Sequence, residues 1–177
     1  MMEKIVTPHK LLKFMNDFEY AWTDQKGNKR SELVPEMYEE FSLMSPEEVL
    51  AKKYGICIDQ VEFERLWFSN HGYLFETYII EMYYPNSKPG HSFLIYKDEK
   101  GWNWFENAWY DKRGIHTFDT KEKVLEFVKI NFMEQNNIRD YNDKNLYMYS
   151  YDKLPYHINY EKMDELMKTF MENSLVM

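Results

Sequence analysis

One thiol, one imidazole and one carboxylate in this chain are spaced so that they could together carry out nucleophilic chemistry. Cys57 is the only cysteine and falls in Tyr54-Gly55-Ile56-Cys57-Ile58-Asp59-Gln60, where a loop is predicted to become a helix. A thiol in the first turn of a helix feels the positive end of the macrodipole and unpaired N–H groups. That setting favours the thiolate, which is the nucleophilic form. The competing reading is a small buried hydrophobe, because free Cys is among the most buried residue types. A cysteine nucleophile also needs a base, and the base needs an orienting group. His91 is the best base, since it opens a predicted strand directly after Pro89-Gly90, where a side chain can face a cleft. The competing reading there is a loop-edge histidine bonded to water or backbone. His9, His71, His116 and His157 have no comparable setting; His71 is expected at a helix C-terminus, where its charge suits the dipole.

The orienting group is Glu106 or Asn107. Adjacent strand residues face opposite sides of a sheet, so only one of them can share a face with His91. A four-residue loop over 98–101 pairs Lys97 with Trp102 and selects Glu106. A three-residue loop with Gly101 in a bulge pairs Asp98 with Trp102 and selects Asn107. Asp98-Glu99-Lys100-Gly101 suits both loops, so turn chemistry leaves the choice open.

The elements that must position these groups can be read from pattern. Thr7-Pro8 is a cap and first residue for a helix carrying Leu11, Leu12, Met15 and Phe18. A polar loop follows over 23–31, then a short helix or turn over 33–41. Ser45-Pro46-Glu47-Glu48 is a capping box opening a helix that should stop near Tyr54-Gly55, with Gly suited to the turn. The Cys57 helix should run to Asn70-His71-Gly72. Strands are expected over 73–84, 91–96 and 102–107, the last two as a hairpin, and again over 146–151. Pro85 to Gly90 is a loop, and His116 belongs to a turn region around Arg113-Gly114-Ile115. Helices are expected from Thr120 to about Phe132 and from Tyr160 to about Met171. No repeat or linker divides the chain, so a single α+β domain over 1–177 is expected.

Composition narrows the function classes. Lys and Arg total 22 against 30 acids, a net charge of −8, which makes nucleic acid and anionic membranes poor partners and a basic or neutral peptide the better one. No apolar run is long enough to span a bilayer, and no apolar segment of a signal peptide follows the first residues. A lone cysteine forms no internal disulfide, so a reducing cytoplasm is the simplest location. It also rules out cysteine zinc sites, and the five His lack metal-binding spacing, so neither metal nor cofactor is expected. Aromatics make up 18% of the chain, and Trp67, Tyr83, Tyr84, Trp104, Trp109 and Tyr110 are candidates to line a peptide groove, against the alternative of ordinary core packing.

Taken together, Gly55-Ile56-Cys57, His91-Ser92-Phe93-Leu94 and Trp102-Asn103-Trp104-Phe105-Glu106 resemble the transglutaminase-like superfamily. There a Gly-x-Cys opens a helix, a His starts an apolar strand, and a tryptophan-led strand ends in an acid. His91 stands 34 residues after Cys57, and Glu106 stands 15 after His91, which fits that order. The resemblance covers about a third of the chain. It implies a papain-like fold, with the Cys57 helix packed on an antiparallel sheet, and a Cys57-His91-Glu106 triad. The usual third member is Asp; Glu106 is one methylene longer, which keeps Asn107 open as a substitute. Similar proteins place an upstream donor beside the oxyanion, and Trp22, whose indole N–H only donates, is the candidate. The implied function is a thiol hydrolase cleaving a peptide or side-chain amide through a thioester. The alternatives are an amine-accepting acyltransferase and a catalytically silent peptide-binding module on the same fold. The oligomeric state is left open.

Overall fold

A computed structural model describes residues 4–83 and 88–175. The first helix, α1 (Pro8–Met15), begins where the Thr7 hydroxyl accepts the Lys10 N–H at 3.3 Å. A small ribbon, β1 (Trp22–Thr23) with β2 (Lys29–Arg30), occupies the segment expected as loop. After the short α2 (Met37–Glu40) comes α3 (Pro46–Lys52), opened by the expected Ser45–Glu48 capping box. The left-handed residue that ends α3 is Lys53, with φ 55°, and not Gly55. Gly55 is needed for a different reason: a Cβ there would lie 2.7 Å from the Cβ of Asp59. The next helix, α4 (Cys57–Asn70), therefore starts against a backbone that only glycine lets come so close.

The sheet is antiparallel throughout. It is built from β3 (Leu74–Met82), β4 (Gly90–Asp98), β5 (Gly101–Glu106), β6 (Gly114–Phe118) and β7 (Leu146–Ser150), in the order β6-β5-β4-β3-β7. The β6 strand occupies what the sequence suggested was a turn around Arg113-Gly114-Ile115. The β4–β5 register pairs Lys97 with Trp102 and Asp98 with Gly101. That is the register that puts Glu106, and not Asn107, on the face of His91.

Helices cover both faces. On one face α5 (Lys121–Gln135) buries Val124, Val128 and Phe132 against Tyr78, Ile80, Phe93, Ile95 and Trp104. On the other, α4 packs on β3 and β4, flanked by α1 and α3, while α6 (Tyr160–Leu175) covers β7. Antiparallel strands with helices on both faces make this an α+β domain. Among the described residues no helix is long and apolar enough to cross a membrane.

The central helix departs most from its sequence pattern. Asp59, Gln60, Glu62 and Glu64 are all buried, although their residue types suggest a solvent face. Partners make this tolerable for the first three. Glu62 takes the Arg65 guanidinium at 3.2 Å, and Arg65 reaches on to Thr77 of β3 and to the Tyr151 carbonyl oxygen at 3.2 Å. The Thr77 hydroxyl also donates to Tyr151 O at 2.7 Å. These bonds clamp α4 to the sheet from inside.

Replacing Gly55 with Ala forces Asp59 or the turn to move. We expect a loss of about 1–3 kcal/mol, read as a lower urea midpoint at unchanged slope; a midpoint equal to wild type would show that the close approach is not a constraint.

Candidate active site

Cys57 is the first residue of α4, so its thiol sits over the unpaired N–H groups of the first turn. The turn before it is held by Asp59. One carboxylate oxygen accepts the Ile56 N–H at 3.1 Å and the other the Met44 N–H at 2.9 Å. Complete burial pushes the Asp59 carboxyl up to about 7, against the pull of these two donors. Gln60 adds a second brace. Its amide donates to Gly55 O at 2.8 Å, and its Oε1 accepts from Asn107 Nδ2 at 2.7 Å. Asn107 Nδ2 also donates to Met15 O at 3.1 Å. The turn that carries Cys57 is thus tied to the end of β5 through buried amides.

At that end of β5, Glu106 receives His91 Nε2 on Oε2 at 2.7 Å. Its other oxygen accepts the Trp109 backbone N–H, also at 2.7 Å. The longer acid is therefore bent back onto its own chain and fixed at both oxygens. Glu106 is 2% exposed, and the Trp109 ring stands edge-on to His91 at 5.2 Å. Burial alone would drive the proton from His91. The Glu106 charge, and hydrogen bonds to Cys57 and Glu106, outweigh it and push the imidazole up to about 10. His91 is thus held as imidazolium, the counter-ion that a thiolate needs. With Nε2 engaged by Glu106, Nδ1 is the ring nitrogen left to serve the thiol.

Two further residues meet this set. Glu64, two turns along α4 from Cys57, is buried; burial first, then the Glu106 charge, pushes its carboxyl well above the usual range. Tyr20 faces both the thiol and the backbone N–H of Cys57; the Cys57 charge and burial push its phenol far up. It is 37% exposed, and its own N–H is held by the Tyr110 hydroxyl at 2.9 Å. Neither residue was singled out from sequence. The only signal for Tyr20 was its place two residues before Trp22.

The expected roles of other residues are corrected by geometry. The Trp22 indole N–H donates to Glu32 O at 2.9 Å, and its ring is fully buried, so it offers no donor to the thiol. Asn107 spends its amide on Met15 and Gln60, and braces the scaffold without touching His91. Of the aromatics expected in a groove, Trp67 and Trp104 are buried core, and Tyr83 bonds Glu81. Tyr84 lies outside the described residues. Trp109 and Tyr110 do line an open cleft of about 480 Å³, together with Tyr20, Pro89 and His91. On its other side His91 walls a small cavity that contains Cys57. Among the described residues no His, Cys, Asp and Glu cluster could hold a metal ion.

No protein-family model matches this chain, and no curated relative is found.

The geometry predicts fast alkylation of Cys57 by iodoacetamide near pH 6.5. His91→Ala should slow it about tenfold or more, because the counter-ion is gone. Equal rates in both proteins would mean that the imidazole does not act on the thiol.

Proposed function

We propose that the chain is a thiol hydrolase acting on a peptide or side-chain amide through Cys57, His91 and Glu106, on a papain-like, transglutaminase-like core. The observation that carries this reading is His91, bonded to Glu106 at 2.7 Å, beside a thiol that opens a helix. The thiolate attacks the carbonyl carbon, and a tetrahedral oxyanion forms. His91 then gives its proton to the leaving amine as the C–N bond breaks, leaving a thioester on Cys57. In the second half His91 takes a proton from water, the hydroxide attacks the thioester, and the C–S bond breaks to release the acid. Glu106 is the positioning residue that holds the ring in its working orientation throughout.

The oxyanion needs donors aimed at it, each worth about 3 kcal/mol where one has been removed from a serine protease. The Cys57 backbone N–H is the first. Tyr20 takes the place expected of Trp22, because its hydroxyl already faces that N–H. The aromatic walls supplied by Tyr20, Trp109 and Tyr110 suit an extended peptide with apolar or aromatic side chains.

The test is incubation with a mixed peptide library and with glutamine- and asparagine-containing peptides, read by mass spectrometry. We expect cleavage or ammonia release, and an acyl adduct on Cys57 after acid quench. Cys57→Ala should abolish all three, and Tyr20→Phe should lower kcat about tenfold to a hundredfold with little change in KM. Turnover retained in Cys57→Ala, or no adduct and no product from any substrate, would overturn the reading.

A further inference from the structure

Two spaces adjoin the Cys57–His91 pair, and they differ greatly in size. The open cleft of about 480 Å³ reaches His91, while the thiol borders a cavity of only about 40 Å³. That cavity lies between the first turn of α4, the sheet and the start of α6. The charged groups of its wall are engaged with one another or with neighbours. Lys88 pairs with Asp164 at 2.9 Å, and Asp164 also takes Lys168 at 3.2 Å. Glu81 accepts the Tyr83 hydroxyl at 2.8 Å and the Tyr149 hydroxyl, and His91 is held by Glu106. What these pairs leave for an occupant is hydrocarbon, from Ile56, Ile58, Ile79 and Met163. The far wall is packed in place: the Tyr160 ring lies against Tyr38 at 5.5 Å and against Phe41 at 5.9 Å.

In the proposed reaction the carbon joined to Sγ carries the oxyanion, the leaving amine and the acyl chain. His91 gives its proton to the leaving amine, which places that amine on the imidazole side, where the open cleft begins. The small cavity remains for the acyl chain. It has room for about three non-hydrogen atoms, and a longer chain or a ring would have to displace buried side chains. An interior peptide residue does not fit, because its chain runs on beyond the α-carbon. We propose that this cavity is the acyl subsite and restricts the substrate to short aliphatic acyl groups, from acetyl to butyryl, borne as amides on a peptide or amine that occupies the cleft. The inference rests on the proposed reaction and narrows it to deacylation. The Cys57 C–S bond forms, the C–N bond breaks, and the amine leaves with the His91 proton. Water then releases the short carboxylic acid.

The probes are the p-nitrophenyl esters of acetate, butyrate, octanoate and benzoate, which share one leaving group. The Cys57 thiolate attacks the ester carbonyl, the C–O bond breaks, and p-nitrophenolate leaves with the electron pair. Its absorbance gives the rate, and mass spectrometry gives the acyl adduct on Cys57. Each rate is divided by that of free N-acetylcysteine with the same ester, which removes intrinsic reactivity. We expect acetate and butyrate to react alike, and octanoate and benzoate about tenfold to a hundredfold more slowly. Met163→Ala should raise the octanoate rate relative to acetate about tenfold, because it lengthens the cavity. Ile79→Ala, on a different wall, serves if Met163→Ala fails to fold. Normalised rates that do not fall with acyl size, or that fall equally in wild type and both variants, would overturn the subsite and leave Cys57 as the nucleophile. No adduct with any ester would overturn the proposed reaction, and the subsite with it.

Discussion

An imidazolium buried against a carboxylate at the end of a sheet is stable only if both partners are fixed and nothing nearby competes for either. The His91–Glu106 bond at 2.7 Å sets that requirement, and much of the surrounding structure meets it. The Trp109 N–H holds the free oxygen of Glu106 and its ring covers the pair. Burial and the Glu106 charge push the Glu64 carboxyl well above its usual range, which weakens it as a competitor for His91. A buried pair is weak evidence for stability, because desolvation offsets much of its Coulomb energy.

The second demand is alignment across two elements far apart in sequence. Cys57 rides on α4, while His91 and Glu106 ride on β4 and β5. Gln60 and Asn107 form the only side-chain hydrogen bond found between the Cys57 turn and the end of β5 among the described residues. Asp59 secures the same turn from behind, through Met44 and Ile56. The polar residues of α4 are thus the fittings of the site, and the apolar ones are its packing.

That division explains what could and could not be read in advance. Capping at Thr7 and Ser45, the start of α4 and the strands around His91 follow from local rules, and they were legible. The choice of Glu106 over Asn107 was not, because Asp98-Glu99-Lys100-Gly101 is compatible with two loops; the β4–β5 register decides it. Asp59, Gln60, Glu62 and Glu64 look like a solvated face, since nothing local reveals that the Met44 N–H and the Asn107 amide are folded onto Asp59 and Gln60. Trp22 looked like a free indole donor, and only the folded chain brings Glu32 O to it. Tyr20, an exposed aromatic beside a loop, carried no signal beyond its place near Trp22 until the fold brought it to Cys57. The short β6 strand was missed because Gly114 reads as a turn, whereas it pairs with Glu106 as the first residue of the strand, at a φ of 155° that glycine tolerates and other residues rarely adopt.

The most direct test is the ionic state of His91, read by ¹⁵N chemical shifts of its imidazole across pH in wild type and in Glu106→Gln. The account predicts an imidazolium that persists far above the ordinary histidine value of about 6.5, toward about 10 in wild type, and falls back when the carboxylate is replaced. A His91 that is neutral at pH 7, or that titrates alike in both proteins, would contradict it, leaving Cys57 a partly buried thiol with no cationic partner behind it.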